Sequence, residues 1–480
     1  MNQQENSTTI ANLKNNWTLL LFSVPVLLLS LRLEGWGSAD TTIAPQFIML
    51  PFTLCLIGAI VFLCGNQRTL PRFALLGRIP FLTVAAVIAA LEQTLAILLL
   101  IVESIYFRRL GYRLSIPALS AVALLSVSAF TLAFLGRKAV LPARLLLASG
   151  FSFSLTVIYS IAFFPLNPMK SDCLPLISAA NLNFLSGHFP YITYPLVSGP
   201  VVLTYLPATW LVYLPAVILH VDLRWTNLLL SLAAIAVTYF SVRPSHRPLA
   251  ASLLSLFILL PFSQFQHDIY TSLQWFLLAA TFALLERQRW LAAAAAMACG
   301  VAASQLILIM SPFFAVFLFR RLGLRKTLQA AFVFLIFVAL WVGPFLIASP
   351  QQFLYGVLTH WSLARGITVR VFNFSFWLWV ALAHFGADTV RNLQRIQTFA
   401  LLILFAVSLR SKLVSPVNFW RWAAASVTLF TLTNFIVWPY FYVTGLFALV
   451  LSILASPASS ATNELPALIS PTASADLPAH

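Results

Sequence analysis

Acidic residues are nearly missing from this chain: Asp and Glu together number 12 in 480 residues, against 28 Lys and Arg. Charged residues of both signs make up only 8%, where soluble proteins average near a quarter, so an ordinary soluble domain is excluded. Cysteine is scarce as well. Cys55, Cys64, Cys173 and Cys299 show no CxxC and no Cys/His metal spacing, which leaves out zinc ribbons and paired-thiol redox motifs. Regular alternation of apolar and polar residues is also lacking, and its absence argues against a β-barrel. The excess of 28 basic over 12 acidic residues gives a net charge of +16. Those cations lie in short loops between apolar runs, the distribution of the positive-inside rule and not of a nucleic-acid surface.

What the chain has in plenty is continuous apolar sequence, 61% of residues with a mean hydropathy of +0.93. Runs of spanning length predict an all-α, polytopic transmembrane bundle. Residues 1–15 and 456–480 read as disordered, the latter Ala/Ser/Pro-rich. The first apolar run lacks a small-residue cleavage site and is expected to remain as a helix. Spans are expected near 17–33, 44–64, 80–105, 115–136 and 144–165, then 225–242, 248–264, 270–286, 290–304, 305–319 and 327–348, and finally 395–409, 418–435 and 440–455. That is about fourteen crossings by hydropathy.

With the N-terminus inside, most basic loops fall inside, from Arg68 through Arg137/Lys138, Arg243/Arg247, Arg287/Arg289 and Arg320/Arg321 to Arg410/Lys412. Arg108, Arg109, Arg113, Arg391 and Arg395 run against that pattern. The parity closes only if residues 195–219, interrupted by Pro200, Pro207 and Pro215, do not cross. They are expected as broken helices lying in the outer leaflet.

Two polar islands interrupt the apolar runs, Met169–Val197 and Phe262–Ser272, and each holds a rare acid, Asp172 and Asp268. A carboxylate beside a bilayer is costly unless it faces protein, water or substrate, and so reads as functional by default. Each Asp also stands where a helix cap would. Glu92 and Glu103, eleven residues apart in the third apolar run, share a helical face and line a polar path or meet an Arg.

The first island reads Asp172, Ala179-Ala180, Gly187, Pro190-Tyr191, Tyr194-Pro195, and the second Gln266-His267-Asp268, followed by Gly300 to Gln305. A third block is Phe353, His360-Trp361, Arg365, Arg370, Asn373-Phe374-Ser375, and the chain closes on Trp438-Pro439-Tyr440-Phe441-Tyr442. This order resembles the GT-C glycosyltransferases that use polyprenol-phosphate sugars, particularly the polyprenol-phosphate-mannose-dependent mannosyltransferases. The likeness covers roughly residues 145–455. It implies a GT-C-type catalytic core over 143–455, with 16–142 as accessory helices and an active site on the non-cytoplasmic side. The membrane would be a bacterial inner membrane or the endoplasmic reticulum. Two positions depart from the family pattern: Lys170 stands where a first acid is common, and Gln305 where a Lys is.

A polyprenol-phosphate sugar already carries its leaving group, so transfer needs a base for the acceptor hydroxyl and cations for the departing phosphate. The resemblance gives Asp172 the base and Asp268 a role in orienting the acceptor, holding His267 or supporting a metal. Arg365 and Arg370, with His360, are candidates for the donor phosphate; Arg370 also suits a lipid headgroup. His267, Gln266, Tyr191, Asn373 and Trp361 are candidate substrate contacts. No cofactor is assigned, and a divalent metal stays open. The expected activity is transfer of a hexose, mannose favoured, with inversion, to a glycan, lipid or protein acceptor. A lipid-linked-sugar transporter or flippase, or an inactive membrane subunit, are the competing readings.

Overall fold

The computed structural model describes residues 115–258 and 269–360 apart from 165, 167–171 and 198, then 389–411, 413–434 and 439–455, with scattered residues between 97 and 109. The expected spans near 17–33 and 44–64, most of 80–105, the two termini, Glu92 and Glu103 lie outside the described residues. The apolar runs become helices almost where hydropathy places them. They are α1 (Ile116–Leu135), α2 (Leu141–Phe163), α3 (Cys173–Leu185), α4 (Pro207–Leu211), α5 (Leu214–Ile218), α6 (Arg224–Ser241), α7 (Arg247–Ile258) and α8 (Ser272–Glu286). After these come α9 (Trp290–Ala303), α10 (Gln305–Leu322), α11 (Leu324–Ala348), α12 (Pro350–Leu354), α13 (Thr389–Arg410), α14 (Pro416–Thr433) and α15 (Pro439–Leu454).

Five helices among the described residues are long and apolar enough to cross a bilayer: Ile116–Leu135, Lys138–Phe163, Gln305–Leu322, Leu324–Ala348 and Asn392–Arg410. Others expected as spans are short, α8 with 15 residues and α9 with 14, against about 20 needed for the hydrocarbon core. Their side chains explain the hydropathy. Leu278, Ala279, Phe282, Ala293 and Ala298 have no exposed surface, so these helices are apolar because protein surrounds them. In α11 the reverse holds, with Phe332 66% and Ile347 82% exposed. A continuous apolar face of that kind is unstable in water and at home in lipid.

The main core gathers around α8, with Phe282, Phe317, Phe419, Trp420 and Phe447 buried together. A second core is separate from it. Leu174, Ile177, Tyr191, Leu203, Trp210 and Tyr213 from residues 172–223 pack with Phe345, Phe353 and Val357 from the end of α11 and the turn beyond. This small unit is here called the cap.

The described residues of 195–219 hold no helix of spanning length, and they are not broken helices throughout. Thr193–Leu196 (β1) and Gly199–Val202 (β2) pair as an antiparallel hairpin, with Pro195 opposite Pro200. Proline has no N–H, so this cross-strand pair cannot exchange hydrogen bonds, and Thr, Tyr and Val on either side favour extended backbone. Gly199, at φ +113°, takes the turn geometry that other residues resist. Only then do Pro207 and Pro215 open α4 and α5 in first-turn positions, where a missing N–H costs nothing.

The cap sits at one end of the bundle and the basic loops at the other. α2 ends at the cap, α6 and α8 start there, α9 ends there, and α10 leaves it, with Thr209 donating to Ala303 O and Gln305 Nε2 reaching Thr204 O at 3.4 Å. The far ends of these helices carry Arg137/Lys138, Arg243/Arg247, Arg287/Arg289 and Arg320/Arg321. Arg320 donates to the carbonyls of Leu409 and Ser411, and Arg321 to Val414 O at 3.1 Å, which brings the end of α13 to that same face.

Arg224 pins the cap to the bundle. It is 2% exposed, and its guanidinium donates to Ser160 O (3.2 Å) and Phe164 O (2.7 Å) at the end of α2 and to both carboxylate oxygens of Asp222 (3.0 and 2.7 Å). Removing one partner of a buried ion pair strands the other. Arg224→Ala is expected to lose about 3–5 kcal/mol, and Asp222→Asn less, because the helix carbonyls still hold the guanidinium. Thermal unfolding in detergent checks this, and equal midpoints for Arg224→Ala and wild type would contradict it.

Candidate functional site

The cap is built around α3. Asp172 occupies the position before its first residue, but in a helical conformation (φ −84°, ψ −8°) with its side chain accepting no capping bond. Its carboxylate is half-buried, with Cys173 Sγ 3.9 Å from Oδ1. Of the described carboxylates in the cap, Asp222 is spent on Arg224, whereas Asp172 has no ion pair among the described residues.

The residues that gave the first island its pattern hold this geometry. Gly187, at φ +79°, ends α3: its N–H donates to Phe184 O (3.0 Å) and that of His188 to Asn183 O (3.1 Å). This double closure needs a left-handed residue at that place. Asn183 Nδ2 then donates to Phe189 O (3.0 Å) and Tyr194 Oη to Pro190 O (2.7 Å), fixing the chain into β1. Tyr191 is 3% exposed, its hydroxyl donating to Tyr205 O (3.0 Å) and accepting from Trp210 Nε1 (3.3 Å), with its ring against Phe345 and Phe353. Expected as a substrate contact, Tyr191 lies in the cap's core. Asn181 ties α3 to α4 through Trp210 O (2.8 Å).

A polar relay carries the cap to the second island. Tyr213 Oη donates to Asn227 Oδ1, and Asn227 Nδ2 donates to Ile269 O at 2.6 Å. Tyr270 packs on Tyr205 with ring centroids 4.3 Å apart. Ile269 directly follows Asp268 in the chain, so the described end of the second island meets the cap. Gln266, His267 and Asp268 themselves lie outside the described residues, as do Trp361, Arg365, Arg370, Asn373 and Trp438.

The third block reaches the cap through Phe353 and Val357. The turn Tyr355–Thr359 is a π-helix, a form that recurs at functional sites. Gly356 lies so close to β2's exit that a Cβ there would stand 2.6 Å from Leu203 O. His360 follows, its Nδ1 3.4 Å from Tyr355 Oη, and partial burial pulls its pKa below the ordinary histidine value.

Burial pushes the Tyr194 phenol up to about 12 and those of Tyr191 and Tyr213 higher still, so none of these phenols supplies a base near neutrality. Among the described residues no group of three or more His, Cys, Asp or Glu gathers as metal ligands. Beside the exposed His188 and His220, the described cap offers the half-buried Asp172 carboxylate, the partly buried His360 imidazole and a set of locked phenols.

Sequence reasoning missed Arg224, Asp222, Asn227 and Tyr213. The signal was present in Asp222-x-Arg224, an acid and a base two residues apart in a chain with 12 acids. No family model matches the chain, and neither the curated proteins nor the solved structures yield a match.

Gly356→Ala forces Leu203 O away, and overpacking of this kind costs about 1–3 kcal/mol. The expected result is a lower thermal midpoint, with proteolysis appearing first in the 350–360 turn. Uniform cleavage at an unchanged midpoint would refute the close contact. The depressed His360 pKa has a signed consequence. Unfolded chains bind that proton more readily, so its contribution is complete above the unfolded value and is lost as pH falls through the folded one. His360→Gln should flatten the acid side of the stability–pH curve below about pH 6.5 and leave the curve unchanged at pH 8.

Proposed function

We propose that this protein is a multi-pass integral-membrane glycosyltransferase of GT-C type, with its site in the cap on the non-cytoplasmic side. It moves a hexose, mannose favoured, from a polyprenol-phosphate donor to a glycan, lipid or protein acceptor. The observation that carries this reading is the Asp172 carboxylate, half-buried at the head of α3, spent on no helix cap and paired with no cation among the described residues. It shares the cap with the turn ending in His360 and, through Asn227, with the start of α8 just after Asp268.

Orientation follows from charge. The Lys- and Arg-rich loops gather at the end of the bundle opposite the cap, and loops of that composition stay in the cytoplasm. A cap on the far side has access to lipid-linked donors presented there.

In the reaction Asp172 takes the proton of the acceptor hydroxyl as its oxygen attacks the anomeric carbon. The bond from that carbon to the phosphate oxygen breaks, and the polyprenol phosphate departs with the electron pair. A single displacement of this kind inverts the configuration. Arg365 and Arg370 meet the departing charge through their forks of N–H donors. His360, kept neutral by burial, adds a hydrogen bond but no charge. Gln266, His267 and Asp268 orient the acceptor, with Trp361 and Asn373 as further sugar contacts, and Tyr191 supports the site by packing.

The test is transfer from radiolabelled polyprenol-phosphate mannose by the protein in nanodiscs, with a membrane-lipid extract as acceptor. Asp172→Asn preserves size and removes the base, and is expected to cut transfer by about 10²–10⁴-fold while donor binding persists. Transfer at the wild-type rate in that variant would remove Asp172 from the role. Donor binding without any turnover in wild type would sink the enzyme reading.

A further inference from the structure

Helix α13 has two unlike faces. Leu393, Gln397 and Leu404 are buried toward α14, where Gln397 Nε2 donates to Phe430 O at 3.0 Å. On another face Gln394, Arg395, Thr398, Phe399 and Leu402 line an open groove of about 390 Å³. Their spacing, i, i+1, i+4, i+5 and i+8, is that of a single helical stripe. The stripe is ordered along the axis. Its polar members come first, at the end away from the Arg320/Ser411 contact and hence on the cap's side of the bundle. Phe399 and Leu402, 66% and 59% exposed, follow toward the middle of the helix. Arg395 to Leu402 covers about 10 Å at the rise of an α-helix.

We infer that this groove is a docking site for an anionic phospholipid of the surrounding bilayer, with the headgroup phosphate on Arg395 and Gln394 and a chain along Phe399 and Leu402. The polar-then-apolar order is that of a lipid entering from its headgroup. Arg395 lends one N–H to Asn392 Oδ1 at 3.3 Å, and its planar fork offers others to a phosphate. Thr398 turns its hydroxyl onto Gln394 O at 2.8 Å, so the donors facing an anion are the guanidinium and the Gln394 amide. Arg395, with Arg108, Arg109 and Arg391, runs against the charge pattern of the other basic loops, and an anionic headgroup supplies a physical reason for a cation at that end. A bilayer lipid fits better than a reacting substrate, because the stripe belongs to one helix, opens sideways and includes no residue of the cap. The inference is therefore independent of the proposed transferase reading.

The experiment uses the full chain in phosphatidylcholine nanodiscs doped with phosphatidylglycerol, with lipid retained after detergent exchange read by native mass spectrometry. Phosphatidylglycerol is expected to be retained over phosphatidylcholine. Arg395→Gln should reduce that retention about fivefold, Arg395→Lys should restore most of it, and Arg410→Gln at the opposite end should leave it unchanged. Phe399→Ser should weaken retention at an unchanged thermal midpoint. Equal retention of the two lipids, wild-type retention in Arg395→Gln, or displacement of the lipid by millimolar inorganic phosphate would each overturn the proposal.

Discussion

A guanidinium held out of water by four neighbours closes the cap. Arg224 bridges the last carbonyls of α2 and the Asp222 carboxylate, so the chain is pinned where it leaves the bundle and where it re-enters. A buried ion costs several kcal/mol unless its partners are nearly complete. Here the last turn of α2 supplies carbonyls at the negative end of the macrodipole, and the Ser160 carbonyl accepts from the guanidinium while also closing the helix to the Phe164 N–H (2.9 Å). The cation and the helix terminus each satisfy what the other lacks. Everything between Phe164 and Arg224 folds as a loop with both ends fixed, which lowers the entropy lost when its short helices and hairpin pack.

From that closure the rest of the site follows in short steps. Trp210, Tyr213 and Tyr191 fill the cap's own core, and the phenol of Tyr213 reaches Asn227, one turn into α6, which holds Ile269. The cap and the described end of the second island, Ile269 and Tyr270, thereby become neighbours. The end of α11 adds Phe345 and, past Pro350, the tight π-turn whose approach only a glycine at 356 permits. The cap is small, and its phenols have no freedom to titrate near neutrality. That leaves the chemistry to the few groups that packing has not consumed.

Much of this was legible in the sequence, and the reasons differ by element. Helix positions followed from apolar runs, and α11 is observed at 324–348 where 327–348 was expected. Gly187 and the Pro190-Tyr191 pair stood out before their closure of α3 was visible. Hydropathy cannot separate a helix apolar because lipid surrounds it from one apolar because protein does, which is why α8 and α9 read like α11 although they are shorter and enclosed by the bundle. It also took the hairpin residues from Pro195 to Val202 for broken helix, since prolines exclude regular helix without saying what replaces it. Arg224 escaped notice because its partners are backbone carbonyls of Ser160 and Phe164, which no side-chain pattern encodes. Asp172 was legible as an acid in a chain that has few, whereas the state of its carboxylate needed the structure.

The arrangement of the two ends is the claim on which the functional account stands, and impermeant thiol labelling of intact cells measures it most directly. In a background with Cys55, Cys64, Cys173 and Cys299 replaced, Val197→Cys places a thiol on the exposed hairpin turn (73% exposed) and Leu324→Cys one on the basic loop (61% exposed). The account requires Val197→Cys to label from outside and Leu324→Cys to label only after permeabilisation. The opposite pattern would contradict it, because it would put the cap in the cytoplasm with Asp172 facing the wrong pool of donor.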